Sequence, residues 1–180
     1  MDDIKAVIKI KDYLMIKDNF FNEKIYNKIL FDISQCLFMN RNTTVKKESQ
    51  NIYQKIYFNY SLDFNHFAVK EMKNILKNMG LNTKSYDHNY FLSTKHVEAT
   101  PHRDIPNDIN CLIYLKGDQL MNSGTGFYDK VNKDYILHSH IGFKENRAII
   151  FDPKIYHCSL QFEKNCGPRY IMSNFLNYEE

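Results

Sequence analysis

The chain has 180 residues, the length of one ordinary domain, and its formal net charge at pH 7 is only +3. So small a surplus of base gives no argument for a nucleic acid or an acidic membrane as partner, and no apolar run reaches the ~18 residues a membrane helix needs. With 43% hydrophobic and 14% aromatic residues, the composition fits a packed core and excludes a disordered chain.

All 6 glycines and all 4 prolines lie beyond residue 79. That asymmetry predicts a helical part over about 1–85 and a β part over about 86–178, both within a single domain spanning 1–180. Charges every few residues at the N-terminus do not read as a secretory signal. Residues 12–16 form a short extended candidate. Asn22 follows as a helix cap with Glu23 just inside it, and Ile25, Ile29, Leu30 and Ile33 recur at helical spacing to about Cys36. The polar stretch 41–51 reads as a loop. A second helix runs from near Phe67 to Met79 on a stripe of Val69, Met72, Ile75 and Leu76, closed by Gly80.

Beyond that the period changes. Runs 90–97, 111–115, 126–128, 135–141, 147–151 and 169–176 read as strands, separated by turn signals at 106–108, 116–118, 122–124 and 165–168. Many short strands after helices predict a mainly β fold: a jelly-roll core braced on an outer face by the N-terminal helices.

His102 and Asp104 stand two residues apart, so in an extended segment they project to one side and can share an ion. His157 is the natural third ligand. Two histidines and one carboxylate leave one face of a metal open, the arrangement used by non-heme Fe(II) oxygenases. The plain alternative is that His102 and Asp104 are surface loop residues. A hairpin centred near Glu163 is expected to set Arg169 opposite His157 on the neighbouring strand. Arg169 and Ser173 then share the inward face, where a guanidinium and a hydroxyl can hold a carboxylate. A structural salt bridge to Arg169 is the competing reading.

Taken in order, His102-Arg103-Asp104, Cys-Leu-Ile-Tyr-Leu (111–115), Gly-Thr-Gly-Phe-Tyr (124–128), Asn-Arg-Ala-Ile-Ile-Phe-Asp (146–152), His157 and Arg-Tyr-Ile-Met-Ser (169–173) resemble the Fe(II)/2-oxoglutarate-dependent dioxygenases, within them the prolyl-4-hydroxylase-like branch. The resemblance spans about 90–176 and implies a double-stranded β-helix core, related to the cupin jelly roll. It implies His102, Asp104 and His157 as iron ligands, and Arg169 on the far carboxylate of 2-oxoglutarate with Ser173 and Tyr114 as helpers. Thr125 matches the family's Thr-x-Phe strand with Phe127, and Tyr90 is a further candidate for the cosubstrate. The implied cofactors are Fe(II), 2-oxoglutarate and O2. The implied reaction is hydroxylation of a C–H bond in a protein side chain or an amino-acid-like small molecule, with release of succinate and CO2.

Competing assignments use other residues. His138, His140 and Glu145 have the spacing of the first cupin motif, with His157 as fourth ligand. Against a second cupin motif, Pro153 stands one residue too close to His157 and Ile155 stands near where glycine is expected, and that reading leaves Arg169 unexplained. A nucleic-acid demethylase is disfavoured because no second arginine follows Arg169 at the required spacing. A non-catalytic jelly-roll binding module is the remaining alternative. Cys36, Cys111, Cys158 and Cys166 form no CxxC pair, which favours reduced thiols and a cytoplasmic location. Loops at 41–51, 116–123 and 129–134 are expected to border the open side of the metal and to set specificity.

Overall fold

A computed structural model describes residues 13–36, 39–41, 57–84, 88–94, 100–119, 122–161 and 167–179. Among these residues the order is β1 (Leu14–Lys17), α1 (Glu23–Gln35), β2 (Met39–Arg41), β3 (Tyr57–Leu62), α2 (Phe67–Asn78), β4 (His88–Thr94), β5 (Ile109–Lys116), β6 (Ser123–Val131), β7 (Asp134–Gly142), β8 (Arg147–Phe151), β9 (Tyr156–Gln161) and β10 (Arg169–Leu176).

Both helices begin and end for chemical reasons visible in the sequence. Asn22 Oδ1 accepts the Ile25 N–H at 2.9 Å, and Glu23 sits in the first turn of α1, where a negative charge is favoured. α2 is capped by His66, whose Nδ1 accepts from the Ala68 N–H at 3.3 Å. Its Nε2 then carries the proton and donates to Asp32 Oδ2 at 2.7 Å, pinning α2 to α1. α2 stops at Gly80, which takes φ +85. The Gly80 N–H reaches Lys77 O and the Leu81 N–H reaches Leu76 O, both at 2.9 Å, the paired bonds of a Schellman end. Neither helix is long and apolar enough to cross a membrane.

The strands form a seven-stranded antiparallel sheet, β1-β8-β5-β10-β4-β3-β2, and a three-stranded sheet, β7-β6-β9. A bridge between His102 and His157 adds one more pairing beside β9. Side-chain alternation gives the larger sheet two apolar faces. Ile109, Cys111, Ile113 and Leu115 of β5, Ala148 and Ile150 of β8, and Met172 and Leu176 of β10 pack with Ile29, Ile33, Val69, Met72 and Leu76 of the helices. The intervening residues Tyr114, Ile149 and Phe151 meet Phe127 and Phe143, so the second core lies between the sheets. This is a jelly roll with helices on the outer face of its larger sheet, as the sequence predicts.

Several local expectations are corrected. β9 and β10 do not form a hairpin: β9 pairs with β6, whereas β10 lies between β4 and β5 in the other sheet. In a jelly roll consecutive strands cross between sheets, which local turn signals cannot reveal. Residues 129–134 are not a loop, because β6 and β7 continue to a tight turn at Asn132 (φ +58) and Lys133. β2 and β3 are additional strands, and Arg41, expected in a loop, belongs to β2. The rest of the 41–51 loop, Asp12, residues 95–97 of the first predicted β run, and the turn residues Asn165 and Cys166 lie outside the described residues.

Candidate metal centre and anion pocket

His102 and His157 are clasped through their main chains, each N–H donating to the other's carbonyl at 3.0 Å. The Asp104 N–H donates to Pro153 O at 3.0 Å, tying the third residue to the turn that leads into β9. That turn is held by Asp152, whose Oδ1 accepts from the Lys154 N–H at 2.8 Å and whose carbonyl accepts from the Ile155 N–H at 3.0 Å. Asn107 closes the loop after Asp104 by donating Nδ2 to its carbonyl at 2.7 Å.

The side chains converge as the sequence predicts. Asp104 Oδ1 lies 3.6 Å from His102 Nε2, and Oδ2 lies 3.1 Å from His157 Nε2. One ligand atom from each residue falls within 4.8 Å of the others, and no other group of three or more His, Cys, Asp or Glu does so among the described residues. The cupin set is therefore not assembled: His138 is exposed on β7, and Glu145 Oε1 accepts from the Gly117 N–H at 3.4 Å.

Proton positions follow from the partners. His102 Nδ1 faces Thr100 O at 3.1 Å and His157 Nδ1 faces Ile155 O at 3.0 Å. Carbonyls only accept, so each neutral ring carries its hydrogen on Nδ1 and turns an Nε2 lone pair towards Asp104. Burial pushes the Asp104 carboxyl up, but with the rings protonated on both nitrogens the hydrogen bond and charge of His157, the charge of His102 and the Asn110 amide outweigh it and hold the group below its ordinary value; once the rings are neutral, those cationic partners are gone. Two lone pairs and a carboxylate that face one another call for a cation between them. The donor set fits a divalent metal with an open face. Phe151 packs edge-on against His157 with ring centroids 4.7 Å apart, and Phe127 lies 6.5 Å away, so this side is shielded by apolar rings.

Arg169 is buried, at 3% exposure, on the face of β10 turned to the smaller sheet. Its Nη1 donates to Leu160 O at 3.0 Å and to Gly124 O at 3.4 Å, and its Nη2 donates to Ser159 Oγ. Gly117 makes room for it, since a Cβ there would meet Arg169 Cγ at 3.1 Å. Tyr114 and Thr125 are buried and share a hydrogen bond of 2.7 Å between their hydroxyls. Burial pushes the Tyr114 hydroxyl up to about 12, against the opposing pull of Thr125, Arg169 and Arg147, so it stays protonated at neutral pH. Ser173, also buried, stands opposite Tyr90 of β4 and Leu112 of β5. Tyr90 is set edge-on to Phe175 at 6.3 Å. Cys158 points the other way from His157, its thiol donating to the Tyr128 hydroxyl at 3.3 Å.

Two polar residues of this region escape sequence reasoning. Ser159 was legible in principle, because it follows His157 by two residues on one strand and shares its face. Asn110, whose Nδ2 donates to Asp104 Oδ2 at 2.7 Å, carries no local signal, since its partner is brought to it by a turn.

No family model matches the sequence, and no curated protein matches it. Solved structures do match in shape. A prolyl hydroxylase from Trichoplax adhaerens, solved with a peptide fragment of the hypoxia inducible factor oxygen degradation domain, is 11% identical with a TM-score of 0.61, covering 92% of this chain and 83% of its own. A prolyl-4-hydroxylase from Pseudomonas putida is 9% identical with a TM-score of 0.59, covering 93% of both chains. HygX from Streptomyces hygroscopicus, solved with nickel, 2-oxoglutarate and hygromycin B, is 9% identical with a TM-score of 0.59, covering 89% of this chain and 81% of its own. The chain shares their fold. At these identities the likeness is one of architecture, and chemistry has to be argued from the side chains.

Proposed function

We propose that the protein is a non-heme Fe(II)- and 2-oxoglutarate-dependent oxygenase that hydroxylates a C–H bond of a protein side chain or of an amino-acid-like small molecule. The observation that carries the reading is the convergence of His102, Asp104 and His157 on one point, with a buried arginine further along the same inter-sheet space. Fe(II), 2-oxoglutarate and O2 would supply oxidative decarboxylation to succinate and CO2, coupled to insertion of one oxygen atom into the substrate.

The chain's own residues have the remaining tasks. His102 Nε2, His157 Nε2 and one oxygen of Asp104 would hold the metal, with both imidazoles oriented by their Nδ1 bonds to carbonyls. Arg169 would receive the far carboxylate of 2-oxoglutarate. Its partner Ser159 lies two residues from His157 on β9, about 7 Å along the strand, a spacing suited to a five-carbon diacid with its other end at the metal. Tyr114, Thr125 and Ser173 would add hydroxyls to that carboxylate's cradle. Phe127, Phe143 and Phe151 would exclude water between the two ends.

The test is an anaerobic titration with Fe(II) and 2-oxoglutarate, followed by the weak visible charge-transfer band of the chelate. Asp104→Ala is expected to abolish the band and His138→Ala to leave it; a band that survives the first change and vanishes with the second overturns the ligand set. Succinate release across peptide and amino-acid pools then identifies the substrate class, and no release from any pool would favour a binding module.

A further inference from the structure

Asn110 stands on β5 with none of its surface exposed. Its Nδ2 donates to Asp104 Oδ2 at 2.7 Å. An ionised carboxylate only accepts, so the orientation of the amide is settled: nitrogen on Asp104, carbonyl oxygen turned away. No donor reaches that Oδ1 among the described residues. Its strand neighbours are Phe151 of β8 and Phe175 of β10. In such company a buried carbonyl without a partner is destabilising, because it has lost its water and gained nothing. A leucine of similar size would avoid that cost. Asn110 thus has one satisfied end on a proposed metal ligand and one unsatisfied end beside it.

Resting on the function proposed above, we propose that Asn110 is a positioning residue of the metal centre. Its Nδ2 engages one oxygen of Asp104 so that the carboxylate ligates through the other alone, and its Oδ1 accepts a hydrogen bond from water on the metal's open face. At neutral pH 2-oxoglutarate presents only acceptor oxygens, so it cannot satisfy Oδ1, whereas water can. Single-oxygen ligation also keeps a coordination position from being filled by the protein itself.

Mn(II) serves as the probe, without cosubstrate or turnover. Binding is read from the electron paramagnetic resonance of the free ion, and hydration of the bound ion from water proton relaxation. Asn110→Leu, which keeps the bulk and removes both polar ends, is expected to weaken Mn(II) binding about 10- to 100-fold and to lower the relaxation enhancement per bound ion. Asn110→Ser is expected to do the same, and it carries the test if the leucine variant's melting curve shows that it does not fold. Wild-type affinity and wild-type enhancement in either folded variant would overturn the proposal. Failure of the unaltered protein to bind Mn(II) would overturn this proposal and the metal-centre reading together, whereas binding that is indifferent to residue 110 would overturn this one alone.

Discussion

Arg169 owes its burial to partners supplied by β6 and β9. Carbonyl and hydroxyl oxygens are neutral, and a guanidinium held by them keeps a charge able to bind an anion. Arg169→Ala is therefore expected to weaken 2-oxoglutarate binding about 10- to 100-fold, the loss of charge-assisted hydrogen bonds worth about 1.5–3 kcal/mol, while Mn(II) affinity stays within about twofold. Calorimetric titration of each ligand separates the two effects, and equal loss of both would remove the assigned role. Arg169→Lys keeps the charge but not the planar fork that spans Leu160 O and Ser159 Oγ, so its affinity should fall between the other two. At this scale His102 and Asp104 were legible from their two-residue spacing, which sets both on one side of an extended segment, and Arg169 because a guanidinium is costly to bury without a task. Asn110 was not legible: its meaning depends on an oxygen delivered by a turn six residues earlier in the chain.

The elements divide into those with local signatures and those decided by the whole fold. α1 and α2 carry caps, periodic apolar stripes and, for α2, a terminating glycine, and they fall close to where the sequence puts them. Leu76, fully buried between α2 and the larger sheet, is expected to cost about 2–5 kcal/mol when replaced by alanine, read as a fall in the urea midpoint with an unchanged slope. Gly124 is a second sensitive point. A Cβ there would sit 2.0 Å from Ile141 O, so Gly124→Ala has to push β7 away from β6. A loss of about 3 kcal/mol is expected, with weaker amide protection in both strands by hydrogen exchange; unchanged protection would show that the strands yield without separating. The misjudged hairpin after β9 belongs here too. Periodicity recognises a strand, but only packing chooses its sheet.

On the scale of the molecule, one sheet serves two cores, with helices behind it and the site in front. Its β1–β8 edge is tied by Asp18, which accepts from Arg147 Nε at 2.6 Å and from Lys144 Nζ at 2.7 Å. Those hydrogen bonds hold the Asp18 carboxyl well below its ordinary value of 3.8, and Asp104 is also lowered. A carboxyl lowered in the folded state takes up protons less readily than it does in the unfolded chain. The stability it contributes is therefore complete above about pH 4 and drains away as pH falls through the lower, folded value. The metal-free protein should lose urea resistance below pH 4, and Asp18→Asn should flatten part of that decline while costing about 0.5–1 kcal/mol at pH 7. An identical acid profile for the variant would exclude the edge cluster as a contributor. The mutual main-chain clasp of His102 and His157 has a different consequence. Because the scaffold itself brings the imidazoles together, stripping the ion with a chelator should empty a ready-made socket instead of unravelling it. Successive rounds of removal and reloading would then be reversible, and different divalent ions could be exchanged through one unchanged backbone.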